Sequence, residues 1–121
     1  MAISWTYTPP KVNAAVVLNA AGAVAVEAGA QMILDASQPL VPVDTGALKA
    51  SGKVSADGLE AAVSYSGIAP DGFDYGIKQH EDGSLHHPNG GQWKYLEQPM
   101  HTEAPAVATE MAAIIRKAMK L

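Results

Sequence analysis

"KVSADGLEAAVSY", residues 53–65, alternates apolar and polar side chains on both sides of Asp57-Gly58. Asp-Gly is a favoured central pair for a two-residue hairpin turn, because both positions then take the positive φ that matches strand twist. The spacing therefore predicts a β-hairpin. Alternation gathers Val54, Ala56, Leu59, Ala61, Val63 and Tyr65 on one face and Lys53, Ser55, Glu60, Ala62 and Ser64 on the other. One face is core and the other is largely polar.

Upstream, residues 11–37 contain no proline and no strong turn cluster. At the helical step, Asn13, Glu27, Gln31 and Asp35 fall in one narrow arc, with Leu18, Gly22, Ala25, Met32, Ile33 and Ala36 opposite. Val16, Val24 and Leu34 sit within or beside the polar arc, so this long helix is apolar nearly all round and belongs in a buried setting. One sheet in so small a chain covers one helix face. The other face is expected to meet a second subunit, through Val16, Val17, Val24 and Leu34, and Gly22 and Gly29 would permit close approach of another helix. Before the helix, "MAISWTYTPP" has a β-like rhythm that stops at a proline pair, which reads as an extended arm. Trp5 and Tyr7 on that arm need a surface, on their own domain or on a neighbour.

Downstream, a third strand is expected over Phe73 to Gln79, with Phe73, Tyr75 and Ile77 on a common face, and a fourth short one over Trp93 to Leu96. Between them "EDGSLHHPNGG", residues 81–91, is a polar, glycine-rich loop. Loops of that length tend to be functional, and Glu81, Leu85, His86, His87 and Asn89 make it a candidate partner contact. The last element is a helix from Thr102 to Lys120, with Thr102 as N-cap, Pro105 in the first turn and Arg116, Lys117 and Lys120 near the end, where cations suit the dipole. Its stripe of Val107, Met111, Ile114, Ile115 and Ala118 should pack on the sheet. The fold class is α+β, one domain over residues 1–121: a long N-terminal helix, a three- to four-stranded antiparallel sheet and a C-terminal helix.

With 121 residues, few aromatics and much alanine, the chain has one modest core and gains from association. It has no cysteine, which removes disulfides, thiolate metal sites and cysteine nucleophiles. A formal net charge of -4 argues against gripping nucleic-acid phosphates. The longest apolar run, Ala20 to Val26, is far short of the ~20 residues that span a bilayer, so the chain reads as soluble.

"VPVDTGALKASG", residues 41–52, holds Asp44-Thr45-Gly46-Ala47, the tetrapeptide that carries the catalytic aspartate of aspartic proteases. A small dimeric protease, each subunit giving one Asp44 to a pair that shares a proton, is the enzymatic alternative. Such an enzyme is nearly all β, whereas Pro42 interrupts the strand pattern here and an alanine-rich helix precedes it. In the structural reading Asp44 accepts a backbone amide and caps a short turn through Thr45 to Lys49. His80, His86 and His87 beside Glu81 and Asp82 read as solvated loop residues, without the rigid frame a metal site needs. No Gly-x-Ser-x-Gly elbow, phosphate loop or dinucleotide fingerprint is present. No cofactor, metal or catalytic residue is therefore assigned.

Taken in order, Pro42 to Leu48 with Asp44, Thr45 and Gly46, then Tyr75 with Glu81 and Gly83, then Tyr95, Leu96 and Pro99 before the last helix, resemble the neck or tail-component family of long-tailed bacteriophages. The tyrosine-to-glutamate spacing is stretched, and Gln98 stands before the proline. The resemblance implies a non-enzymatic virion protein of the head-tail connection or of tail completion, assembled in the host cytoplasm. It would form or join a ring of six or twelve subunits, docking head-closure, connector, tail-terminator or tail-tube proteins while DNA passes through the channel.

Overall fold

The computed structural model describes residues 4, 14–43, 46–67, 72–87 and 90–120. Helix α1 spans Ala14–Ser37, 24 residues or roughly 36 Å at the α-helical rise. It ends where Pro39 cannot continue it. A 3-10 turn, Gln38–Leu40, follows, and the Ser37 hydroxyl donates to the Leu34 carbonyl at 2.7 Å. Helix α2 is a single turn, Ala47–Ala50, preceded by Gly46 at φ 86°. Strands β1, Lys53–Asp57, and β2, Glu60–Ser64, form a two-stranded antiparallel sheet. Helices α3 (Tyr75–Glu81), α4 (Glu97–Thr102) and α5 (Ala104–Met119) complete the described chain.

The hairpin forms as expected, with its turn moved by one residue. Asp57 pairs with Glu60, so Gly58 and Leu59 are the central residues. Gly58 takes φ 57° and Leu59 keeps a negative φ, the II′ arrangement that needs glycine only at the first position and spares Asp57 a left-handed backbone. Ala56 consequently faces Ala61 and Val54 faces Val63. Relative to an Asp57-Gly58 turn, the partner strand has slid by two residues, and an even slip keeps every strand side chain on its face. Leu59 and Asp57 exchange roles, Leu59 passing from strand to turn tip and Asp57 from turn to strand end.

The two further strands are not formed among the described residues, where the sheet has two strands. Phe73 to Gln79 instead enters helix α3: the Asp74 carboxylate accepts the Ile77 amide at 3.2 Å, and Lys78 bonds Asp82 one turn on at 3.1 Å. An N-cap and an i,i+4 pair outweigh a three-residue alternation. Trp93 to Leu96 is a turn into α4, with Lys94 at φ 54°. The expected C-terminal helix is two helices, because Pro105 has no N–H for the carbonyl one turn back and the path breaks at Glu103. Thr102 thus ends α4 and caps nothing.

Helix α5 packs chiefly along α1, not on the sheet as expected. Gly29 meets Val107 and Met111, while Val17 and Ala21 lie near Ile114 and Ala118, so the two helices run antiparallel. A Cβ on Gly29 would sit 2.9 Å from Val107 Cγ1. Its absence sets the closeness of the helices. The hairpin lies against another flank of α1, where Gly22 receives the Leu59 side chain. Two coverings explain why α1 is apolar on more than one side.

By length and hydropathy alone, Ala15–Leu40, 26 residues at a mean hydropathy of 1.5, is long and apolar enough to cross a membrane. Counting unbroken apolar runs underrates this helix, since Asn19, Glu27, Gln31 and Asp35 divide the runs while the average stays high. The same composition suits a helix flanked by α5 and the hairpin.

Candidate functional site

The segments singled out in the sequence converge on one small core. Val41, Leu48 and Tyr95 form its buried centre, with Leu40, Tyr65, Tyr75 and Leu96 packed against them, and Pro42 and Pro99 are buried nearby. Each comes from a different piece of chain. The Tyr95 hydroxyl donates to the Gly76 carbonyl at 2.8 Å, and its ring meets Tyr65 edge-on at a centroid distance of 5.4 Å. Burial pushes the Tyr95 hydroxyl up to a pKa of about 12, so it remains a donor.

Tyr65 links this core to α1 through polar groups. Because the Ser37 hydroxyl is already donating to Leu34, Ser37 Oγ accepts from the Tyr65 hydroxyl, at 2.5 Å. Tyr65 in turn accepts from Gln38 Nε2 at 2.9 Å, and Gln38 also donates to the Lys49 carbonyl at 3.1 Å. Ser37 is completely buried with both roles filled. A fully satisfied buried network fixes one arrangement of its elements, here α1, α2 and the end of β2.

At the rim, His80 clasps the loop to α4. Its Nε2 accepts the Glu97 amide at 3.2 Å, which leaves Nδ1 to donate to Glu81 Oε1 at 2.8 Å. Lys94 pairs with Glu81 at 2.5 Å and with Glu97 at 3.4 Å. The Lys94 and His80 hydrogen bonds hold the Glu81 carboxyl below the usual range. Asp82 accepts from both the hydroxyl and the amide of Ser84 and from Lys78, which brings its carboxyl down to about 2. The loop returns to the core at Gly91. Its φ is 93°, and a Cβ there would lie 2.5 Å from Pro42 Cα.

The candidate residues therefore divide. Val41 and Pro42, Leu48, Tyr75, Glu81 and Tyr95 are brought together as structural parts. Asp44, Thr45, Trp5, Tyr7 and Asn89 lie outside the described residues. Leu85 and His87 are half-buried and His86 is exposed. No group of three potential metal ligands occurs among the described residues, and both ring nitrogens of His80 are occupied within the fold.

Leu34, expected at an oligomer interface, is a core residue instead. It is buried beside Gly52, whose missing Cβ admits the Leu34 methyl at 2.9 Å. The helical wheel placed it beside the polar arc, and the chain at Gly52, just before β1, lies against that side. Val16 and Val24, by contrast, are 63% and 58% exposed. With Val17, Ala20, Ile114 and Ala118 they border a shallow apolar depression of about 380 Å³ between α1 and the end of α5.

A larger groove went unread in the sequence. It holds about 650 Å³ and runs between the hairpin and α4–α5, floored by Gly29, Ala30 and Ile33 of α1. Leu59 and Met100 stand at its sides, 57% and 54% exposed. One signal was present: a leucine at a position where turns favour polar residues or glycine. Comparison with known protein families, curated proteins and solved structures finds no match to this chain.

Proposed function

We propose that this chain is a non-enzymatic structural protein of a bacteriophage neck or head-tail interface, forming or joining a ring and docking connector and tail proteins during assembly. The observation that carries the reading is the contrast in how residues are used. The segments that resemble the phage family are committed to packing and internal hydrogen bonds, while large apolar side chains on α1, the hairpin tip and α4 lie open. Apolar patches of this kind mark association surfaces. A net charge of -4 suits a channel through which DNA slides without sticking. The finer division of roles among neck, tail completion and tail terminator belongs to the same proposal.

The test is the native mass of the purified chain over a wide concentration range, with negative-stain images of any large species. A six- or twelve-fold ring around a channel as wide as a DNA duplex is the expected result. A stable dimer that cleaves peptides, and loses that cleavage in Asp44→Asn, would replace this reading with the aspartic protease. Against that alternative stand the mainly helical body and the two-stranded sheet among the described residues.

A further inference from the structure

We propose that the N-terminal arm of one copy, residues 2–8, docks as an added strand on the free edge of β2 in a neighbouring copy, its apolar side chains entering the groove between the hairpin and α4–α5. The inference rests on the self-assembly reading and names the contact that would carry it.

The receptor side is built for a strand. Asp57 and Glu60 flank the two-residue turn as a hydrogen-bonded pair, so Ser55–Ala62 and Lys53–Ser64 are bonded pairs as well. The backbone N–H and C=O of Ala61 and Val63 then point away from β1, toward an edge with no ladder partner among the described residues. Residues 59–63 in succession line the groove, which puts that edge along its wall. The opposite wall, Met100, Val107 and Met111, offers an apolar surface to every second side chain of an incoming strand. A two-stranded hairpin is marginal by itself and gains most from a third strand.

The occupant is written in the sequence. "AISWTYT", residues 2–8, places Ile3, Trp5 and Tyr7 on one side at period two, carries no charged side chain, and stops at Pro9-Pro10, which cannot donate to a ladder. Its seven residues are enough to run the five-residue length of β2. The groove begins at Leu59, which lies against Gly22 roughly 12 Å along α1 from Ala14. Under the self-assembly reading the arm goes to a neighbour's groove, since an arm engaged within its own chain would hold no second copy. Arm into groove is a head-to-tail contact, the type that closes into rings.

Two full-length variants test this. One carries Trp5→Ser and Tyr7→Ser, leaving the groove intact; the other carries Leu59→Glu and Met100→Glu, both at exposed positions, leaving the arm intact. Circular dichroism verifies that each folds, and native mass is read at matched concentration. The wild-type chain is expected to assemble, and each variant alone to fall to monomer. An equimolar mixture should give a one-to-one complex and nothing larger, since a single complementary arm and groove remain. If both variants assemble as the wild type does, association uses another face: self-assembly stands and the arm contact falls. Variants that turn monomeric yet do not complement each other also overturn it. A wild-type chain that is monomeric at every concentration overturns the arm contact and the self-assembly reading together.

Discussion

The motif core and the groove are made from adjoining stretches of the same chain, yet they are finished to different degrees. Around Tyr95 and Tyr65 every buried side-chain polar atom among the described residues has a partner, rings meet edge to face, and Val41 and Ser37 are sealed from solvent. Along the groove, Leu59 and Met100 stand more than half exposed, and no residue of α5 is buried. The core is complete within one chain. The groove is a floor and two walls of described residues whose apolar side chains stand exposed. A small domain can thus hold its shape through one well-satisfied cluster while large apolar side chains elsewhere stand exposed.

Truncating the core is expected to have the largest effect. Tyr95→Ala removes a buried ring at the meeting point of three segments and should cost about 3–5 kcal/mol, a large share of a domain's stability, read as a lowered urea midpoint. A midpoint unchanged from the wild type would mean that the core is not the keystone. Ser37→Ala should cost about 1–2 kcal/mol, because the Tyr65 hydroxyl is left partly buried and short of an acceptor. On the groove side the effect should be smaller in the monomer: Leu59→Ser is expected to cost about 1 kcal/mol, for the part of its side chain that lies on Gly22. The same substitution should lower the native mass of the assembled form. If it instead unfolds the monomer, the groove belongs to the core and the comparison fails.

The subtlest expectation concerns pH. Asp82 has its folded pKa depressed to about 2 by Ser84 and Lys78, so its contribution is fully present above the ordinary carboxylate value and is lost as pH falls through about 2. NMR titration of its carboxyl carbon should show a midpoint near that value, moving up toward the ordinary range in Ser84→Ala. A midpoint near 4 in the unaltered chain would show that the loop is not held at Asp82.

Long periodic elements were legible in the sequence, and short ones were not. Residues 14–37 offered many helical turns of consistent pattern, and the hairpin two alternating runs with a glycine between them. Phe73, Tyr75 and Ile77 gave only three points, which fit period two until the Asp74 cap is counted. The convergence of the Pro42, Tyr75 and Tyr95 segments was visible as an ordered set of motifs, though not as one cluster. Leu34 was misplaced because a helical wheel cannot show that the chain at Gly52 and β1 returns against that side. The groove depends on the spacing between the hairpin and α5, which no local pattern encodes.

The antiparallel pairing of α1 and α5 places the start of one beside the end of the other. Tension applied between residues 14 and 119 would therefore peel the two helices apart turn by turn from that end, a geometry in which contacts break one after another at low load. The cluster around Tyr95, beyond the far end of α1, would bear no force until the peeling had passed Gly29. Under mechanical load this chain would yield first along its helix pair, with its hydrogen-bonded core still intact.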